Sequence, residues 1–424
     1  MKKKILVKGP ALSRSGYGEH TRFLLRSLRP HLQTEYDLYL MATPWGATGY
    51  TTENDEEREW LDSLLMKTVG HIQNKGTFDA SIQVTIPNEW EKMAPVNIGV
   101  TAGIETTKVA PVWLAKGNEM DKIIVVSNHS KQVYETSVCT AQNSDTGEAI
   151  ENYRCETPIE VVNYPVRECD PEKIDGLKLD FNFNFLTVAQ WGPRKNLDNT
   201  IKWFVEEFKD TEVGLVIKTN LAKDSITDRA HTENRLRMLL GPLGERKCKI
   251  YLLHGSLSAA QMTHLYQHKK IKALVSLTHG EGFGLPLFEA AYNGLPIVTS
   301  LWSGHTDFLY APNKNGKNRP MVAKVNYSIQ PVQPECVWPG VIEEGSMWCF
   351  PYEKDYKKQI REVFKNYDRF KNSARRLKKH ILKEFAYDKQ HKLFSSAVLE
   401  PILPSAEESK MAKEIEEMFK DLSV

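Results

Sequence analysis

Between Ile271 and Ser300 the chain runs from an apolar stretch through three closely spaced glycines into a helix, and then back to an apolar stretch. The first run, Ile271 to Leu277, has the length and composition of a buried strand. Gly280, Gly282 and Gly284 make the turn, and Pro286 takes the favoured first position of the helix. Asn293-Gly294 stops the helix, and Leu295 to Thr299 is the next strand. A strand, a short turn, a helix and a strand make a βαβ unit, which commits its two strands to a parallel sheet.

That turn is also a chemical site. Free N–H groups at a helix start and the helix dipole both favour an anion there, with phosphate the natural candidate. Two carboxylates bracket it: Glu281 in the loop and Glu289 inside the helix, with seven residues between them. Hydroxyl groups on either side of a phosphate could donate to them, as a sugar and a ribose would. An isolated glutamate pair is equally what a solvated helix start with acidic side chains near its positive end looks like.

The same alternation extends over most of the chain. Strands are expected at Ile5–Val7, Leu38–Met41, Ser81–Val84, Val96–Val100 and Ile123–Val126, with helical text between them. A second series has strands at Phe185–Ala189, Gly214–Lys218, Ile250–Leu253, Ala273–Leu277 and Pro296–Thr299. After its first strand, Leu197, Ile201, Phe204, Val205 and Phe208 share one helical face. A polar stretch from Glu168 to Asp180 reads as the linker. The expectation is an α/β chain of two Rossmann-like domains facing a cleft: 1–170, then 171–385, with a charged helical tail over 386–424. Pro312 to Gly345 reads as an extended loop or hairpin. Tyr356–Phe370 and Ser373–Phe385 read as helices, and Ser405–Phe419 as a third. Ligands of such folds sit at the carboxyl ends of the strands.

Composition narrows the class. The 56 basic and 54 acidic side chains nearly cancel, which argues against binding driven by a polyanion over the whole surface. No apolar stretch is long enough to span a bilayer, and MKKKILVKG reads as a first strand rather than a leader. Six cysteines without a C-x-x-C pair fit free thiols in a reducing cytoplasm. No D-x-D, H-E-x-x-H or Cys/His cluster is present, so no metal site is expected.

The block HGEGFGLPLFEAAYNGLPIVTS resembles the Glu-x7-Glu signature of retaining GT-B glycosyltransferases of family 4, including the G-F-G-L-P core and the strand that follows it. The resemblance is specific over residues 185–310, looser from Gly9 onward, and extends to about Phe385. The motif order also looks similar to glycosyltransferases encoded by large tailed bacteriophages. The resemblance implies transfer of a sugar from a nucleotide-sugar donor, with UDP as the nucleotide, to an acceptor hydroxyl. It implies that Gly282, Phe283, Gly284 and Leu285 offer backbone to the donor diphosphate, that Glu281 holds the sugar and that Glu289 holds the ribose.

VAQWGPRKNLDNTIKWF resembles the family's first βα junction in the second domain, where Lys195 takes the place of a phosphate-binding lysine. An arginine usual five positions earlier is Gln190 here, and Arg194 is the substitute. Lys218, at a strand end, is a second phosphate or uridine contact or else a snorkelling surface lysine. Gly16 and Gly18, in the turn after the first strand, match the family's glycine-bearing loop, although a purely structural turn serves equally well. Where many relatives carry a histidine beneath the reacting sugar, this chain has Glu105, with Thr106 and Thr107 after it. Glu105 is read as orienting a sugar hydroxyl, acting as a base toward the acceptor, or capping the next segment.

Glu281, Glu105 and Lys195 are thus the catalytic candidates. His279 and His305 are weaker ones, because a lone histidine is more often structural. The arginines of His20–Leu32 (Arg22, Arg26 and Arg29) could touch an anionic surface, but an ordinary amphipathic helix is the simpler reading. No cofactor is implied. A glycan is the expected acceptor, and peripheral membrane contact is left open. A hydroxymethylated pyrimidine in DNA is the alternative acceptor, met by the basic loop Lys314–Arg319, Trp45 and Tyr50. A non-catalytic nucleotide-sugar binding protein is a third reading. The sugar, the base and the oligomeric state are not legible.

Overall fold

A computed structural model describes residues 2–31, 36–142, 146–313 and 315–403. Two six-stranded sheets, parallel throughout, organise the chain. The first holds β1 (Lys3–Gly9), β2 (Tyr36–Ala42), β3 (Ala80–Val84), β4 (Val96–Thr101), β5 (Lys122–Val125) and β6 (Ile159–Val161), in the order 2-1-3-4-5-6. The second holds β7 (Asn184–Val188), β8 (Gly214–Thr219), β9 (Lys249–His254), β10 (Ile271–Ser276), β11 (Ile297–Ser300) and β12 (Ala323–Val325), in the order 9-8-7-10-11-12. Helices cover both faces, so the central strands are apolar on both sides: Ile5, Leu6 and Val7 are buried in succession, as are Leu215, Val216 and Ile217.

Each order reverses direction once. In the first sheet the reversal falls between β1 and β3, and in the second between β7 and β10. At such a point the loops leaving the carboxyl ends of two adjacent strands diverge and open a crevice. The order therefore singles out the segments after β7 and β10, which are the two carrying Lys195 and Glu281.

The expected strands all form, and both sheets gain an edge strand. Ile159–Val161 pairs beside β5, and Ala323–Val325 pairs beside β11, inside the stretch read as a loop. Three residues are too few to show an alternating pattern. The rest of that stretch is two hairpins, Tyr310–Pro312 with Asn318–Pro320 and Tyr327–Pro331 with Met347–Pro351. A third small hairpin, Cys139–Gln142 with Ala149–Tyr153, lies in the first domain.

Two helices follow, Glu353–Lys365 and Tyr367–Glu384. The break is at Asn366 rather than near Ser373. Ser373 was expected to begin the second helix, but its hydroxyl donates to the Arg369 carbonyl one turn back and the helix already runs through it. The next helix, Tyr387–Leu399, returns to the first domain and packs on the helix Gly16–Leu28. Phe23 and Phe394 have ring centroids 4.7 Å apart, and Ser27 Oγ lies 2.9 Å from His391 Nδ1. The Val166 N–H donates to the Phe385 carbonyl at 2.8 Å, so the two stretches that cross between the sheets are joined at that point. Residues 405–419, expected to be helical, lie outside the described residues. No described helix is long and apolar enough to cross a membrane.

Phe394 is fully buried where the returning helix meets the first domain. Phe394→Ala should cost about 3–5 kcal/mol in a denaturant melt, while Phe394→Leu should cost less than about 1.5 kcal/mol. An alanine variant as stable as the wild type would show that the returning helix does not secure the first domain.

Candidate functional site

The segments after β7 and β10 are bound to each other before any side-chain charge is considered. The Arg194 carbonyl accepts from the His279 N–H at 2.8 Å, and Asn196 Nδ2 donates to the Leu277 carbonyl at 3.1 Å. Asn196 has φ of 53°, a left-handed conformation that asparagine tolerates, and it turns the chain into the helix Leu197–Phe208. The turn brings Arg194 and Lys195 over the glycine-rich loop.

Glu281 is the centre of the cluster. Its carboxylate accepts from Lys195 Nζ at 2.5 Å and from Arg194 Nη1 at 3.3 Å. Arg194 also donates to the Gly280 carbonyl at 2.6 Å, and it reaches Glu105 of the first domain at 3.4 Å. Glu281 is almost buried, and burial alone would push its carboxyl up. Lys195 and Arg194 outweigh that and hold it down to about 2. Lys195 is itself shifted down, by burial and by Arg194 beside it, with Glu281 opposing. Two cations and two carboxylates from three loops and both domains thus neutralise one another.

The glycines serve close approach. A Cβ on Gly280 would fall 2.0 Å from the Glu105 carbonyl oxygen, and one on Gly282 would fall 2.0 Å from that of Ala102. The loop therefore lies flat on residues 102–105 of the first domain, which only glycine permits. Gly284 has φ of 94° and caps the helix Leu285–Tyr292, leaving the N–H groups of the first turn without intrahelical acceptors. Phe283 buries its ring among Tyr164, Phe288 and Phe308, so only its backbone faces the site. In the first domain, a Cβ on Gly18 would fall 2.0 Å from the Ser13 carbonyl oxygen, whereas Gly16 faces open space. Gly18 is thus required by the turn itself.

A crevice between β7 and β10 is lined by Thr187, Lys195, Ser276, Glu281 and Pro286. Glu289 is farther along the helix, where its carboxylate accepts from Tyr266 Oη at 2.8 Å. Burial raises Glu289 to about 7, Tyr266 opposes the rise, and Glu19 of the first domain adds to it. Lys218 Nζ donates to the Gly255 carbonyl, and burial lowers it to about 8.

The remaining sequence candidates separate from the cluster. His279 Nδ1 pairs with the Cys349 carbonyl at 2.5 Å and the ring stacks on Trp348, so it anchors the hairpin strand Met347–Pro351. His305 is buried beside Glu281, with Nε2 on the Ser300 carbonyl at 2.7 Å and Nδ1 unpartnered among the described residues. Arg22, Arg26 and Arg29 pair with Glu19, Glu57 and Glu56, an internal network rather than a free cationic face. Of the basic loop, Lys314 lies outside the described residues, and Lys317 and Arg319 are in or beside the exposed strand Asn318–Pro320. Trp45 stacks on Tyr17 at 4.1 Å, and Tyr50 is exposed.

Three residues were not anticipated. Asp307 accepts from the Asn128 N–H at 2.9 Å and from Asn163 Nδ2 at 3.0 Å, which links the two domains beside the cluster. Ser303 has φ of 74°, a strained value for a non-glycine residue, and its hydroxyl accepts the Glu281 N–H at 2.9 Å. His129, at the start of the helix after β5, is half-buried near Trp302, and desolvation lowers it to about 4. Spacing in sequence carries no sign of any of them, because each acts through a partner more than twenty residues away or through backbone strain. Among the described residues, no group of three His, Cys, Asp or Glu side chains is placed to hold a metal ion.

Residues 180–317, which contain the whole cluster except Glu105, match the family model described as glycosyl transferases group 1. The fold recurs in a sucrose-phosphate synthase from Thermosynechococcus elongatus, with a TM-score of 0.60 at 11% identity, covering 94% of this chain and 99% of that one. It recurs in a glycosyltransferase from Rickettsia africae, with a TM-score of 0.60 at 13% identity over 95% and 100% of the two chains. It recurs again in Anabaena HepE in complex with UDP and glucose, with a TM-score of 0.55 at 11% identity over 93% and 99%. The chain has the two-domain GT-B fold, and its second domain carries the glycosyl transferases group 1 match. No curated protein matches this chain in sequence.

Glu289 supplies a pH test. A carboxyl whose folded-state pKa lies above its unfolded value binds its proton more tightly in the folded protein. The stabilisation is full below about 4.5 and is lost as pH rises through about 7. Ligand-free protein should lose on the order of 3 kcal/mol across that window, and Glu289→Gln should flatten the loss. If ribose hydroxyls bind the ionised carboxylate, UDP binding should weaken below pH 7 and release a proton near neutrality, seen by calorimetry in buffers of different ionisation enthalpy. Glu289→Ala should cost about 1.5–3 kcal/mol of UDP affinity. Equal UDP affinity in wild type and the alanine variant would remove Glu289 from the nucleotide site.

Proposed function

We propose that this glycosyltransferase moves a sugar from a UDP-sugar to a hydroxyl of an acceptor glycan, with retention of the anomeric configuration. The observation that carries the reading is the Lys195–Glu281–Arg194 cluster at the start of the helix Leu285–Tyr292, where the strand order opens a crevice. A diphosphate in the crevice draws Lys195 and Arg194 from Glu281 to its own oxygens. The freed Glu281 carboxylate then accepts from hydroxyls of the sugar. The cluster is neutral before the donor enters, and the donor exchanges its internal partners for ligand partners.

In the reaction the bond between C1 and the phosphate oxygen breaks, and its electron pair goes to the phosphate. Lys195, Arg194 and the first-turn N–H groups stabilise the growing charge. The acceptor hydroxyl oxygen bonds to C1, and its proton passes to the departing phosphate oxygen. Glu105, tied to Arg194, holds that arginine toward the phosphates from the acceptor side. UDP as the nucleotide is supported by the likeness of fold to HepE, which was captured with UDP and glucose.

A screen of UDP- and GDP-sugars for transfer and hydrolysis, with product anomers read by NMR, tests the reading. Lys195→Ala should lower kcat by about 10²–10³ with the fold intact by circular dichroism. Wild-type kcat in that variant would overturn the assignment. Because lysine, arginine and a helix terminus supply the positive charge, activity should survive EDTA. Loss in EDTA with rescue by Mn²⁺ or Mg²⁺ would place a cation at the diphosphate instead.

A further inference from the structure

Residues 353–384 contain twelve Lys and Arg against five Asp and Glu, a surplus of seven in a chain whose total surplus is two. The helix Tyr367–Glu384 concentrates it. Phe370, Ala374, Leu377 and Ile381 form its buried face, and Arg369, Arg375, Arg376, Lys379 and Lys383 stand on the exposed one. On the preceding helix, Lys357 and Arg361 are committed to Glu206 and Glu207. Arg369, Arg375, Arg376 and Lys379 have no acidic partner among the described residues; Lys383 has only Glu384, at 3.5 Å. Arg369 shares a surface recess with Lys324 and Lys358, in which Glu362 is the one acid, so the positive field spreads beyond the helix.

Two further features decide what this face meets. It lies away from the donor crevice: Lys378 packs over Gly294, just past the C-terminal end of the helix whose N-terminus forms the site, about 12 Å away along its axis. None of the exposed large apolar side chains falls within residues 353–384. The face thus has no wedge to insert into hydrocarbon and no aromatic platform for unstacked bases. A nucleic acid acceptor would have to reach the crevice at the other end. What the face fits is a planar anionic surface touched by charge alone.

We infer that the helix Tyr367–Glu384 docks this glycosyltransferase on the headgroups of an anionic lipid bilayer, reversibly and without insertion. Each Lys or Arg near such a surface adds to the attraction, which decays within a Debye length. The crevice stays open to solvent at the opposite end, so docking places the enzyme at the membrane without blocking the donor.

The test is co-sedimentation of the full chain with vesicles of phosphatidylcholine alone or with about one third phosphatidylglycerol, at about 0.1 M salt. Wild type should partition at least about tenfold more strongly to the anionic vesicles and should lose that preference at about 0.5 M salt. The combined variant Arg369→Glu, Arg375→Glu, Arg376→Glu and Lys379→Glu should abolish the preference while donor hydrolysis and circular dichroism stay unchanged. Reversal of the exposed Lys92, Lys173 and Lys209, outside this face, should leave the preference in place. The inference is overturned if the four-residue variant binds anionic vesicles as wild type does. It is also overturned if wild type shows no anionic preference, or if a short duplex DNA binds through the same four residues more tightly than the vesicles.

Discussion

A carboxylate as buried as Glu281 stays ionised only beside compensating charge, because taking an unpaired charge out of water costs several kcal/mol. Lys195 and Arg194 provide that charge, and much of the surrounding architecture serves to hold them there. The left-handed Asn196 turns the chain so that both cations overhang the loop. The glycines let the loop lie against residues 102–105, which brings Glu105 to the second arginine. Ser303 accepts strain to take the Glu281 N–H. The result is a site whose charges are satisfied internally yet exchangeable. Such a site can be stable when empty and still receive a doubly charged ligand.

Glu289 presents the opposite case. It too is largely buried, but its nearest partner is the neutral hydroxyl of Tyr266 and its nearest acid raises it further. One carboxyl of the Glu-x7-Glu pair is therefore locked in its ionised form, while the other sits near the midpoint of its titration at neutral pH. The two positions look alike in sequence. Their difference comes from what the tertiary structure places beside each one.

Much of the second domain was legible in the sequence. Its central strands are apolar on both faces and punctuated by Gly, Pro and Asn, so pattern and structure coincide there. The cluster of Lys195 and Glu281 was legible through family likeness, but their pairing with each other was not, because the likeness describes a site with ligand in it. Edge strands of three residues carry too little pattern, and Ala323–Val325 was absorbed into a loop. Ser373 imitated a helix start that belonged to Asn366, since serine in mid-helix and serine at a terminus read the same until the hydrogen bond is seen. Asp307 and His129 were hidden for a simpler reason: each matters because of a partner in the other domain, and no local window contains both ends of such a contact.

The chain crosses between the sheets twice, near Val166 and near Phe385, and the two crossings are hydrogen-bonded to each other. A single tether would let one half swivel in any direction. Two crossings tied together at one point constrain each other more than either would alone. Tyr387–Leu399 packs on the helix Gly16–Leu28, so the second crossing is anchored in the first half as well. The ion pair of Glu105 with Arg194 thus spans a junction that the backbone itself ties twice, and its register is set by the chain's path as well as by charge.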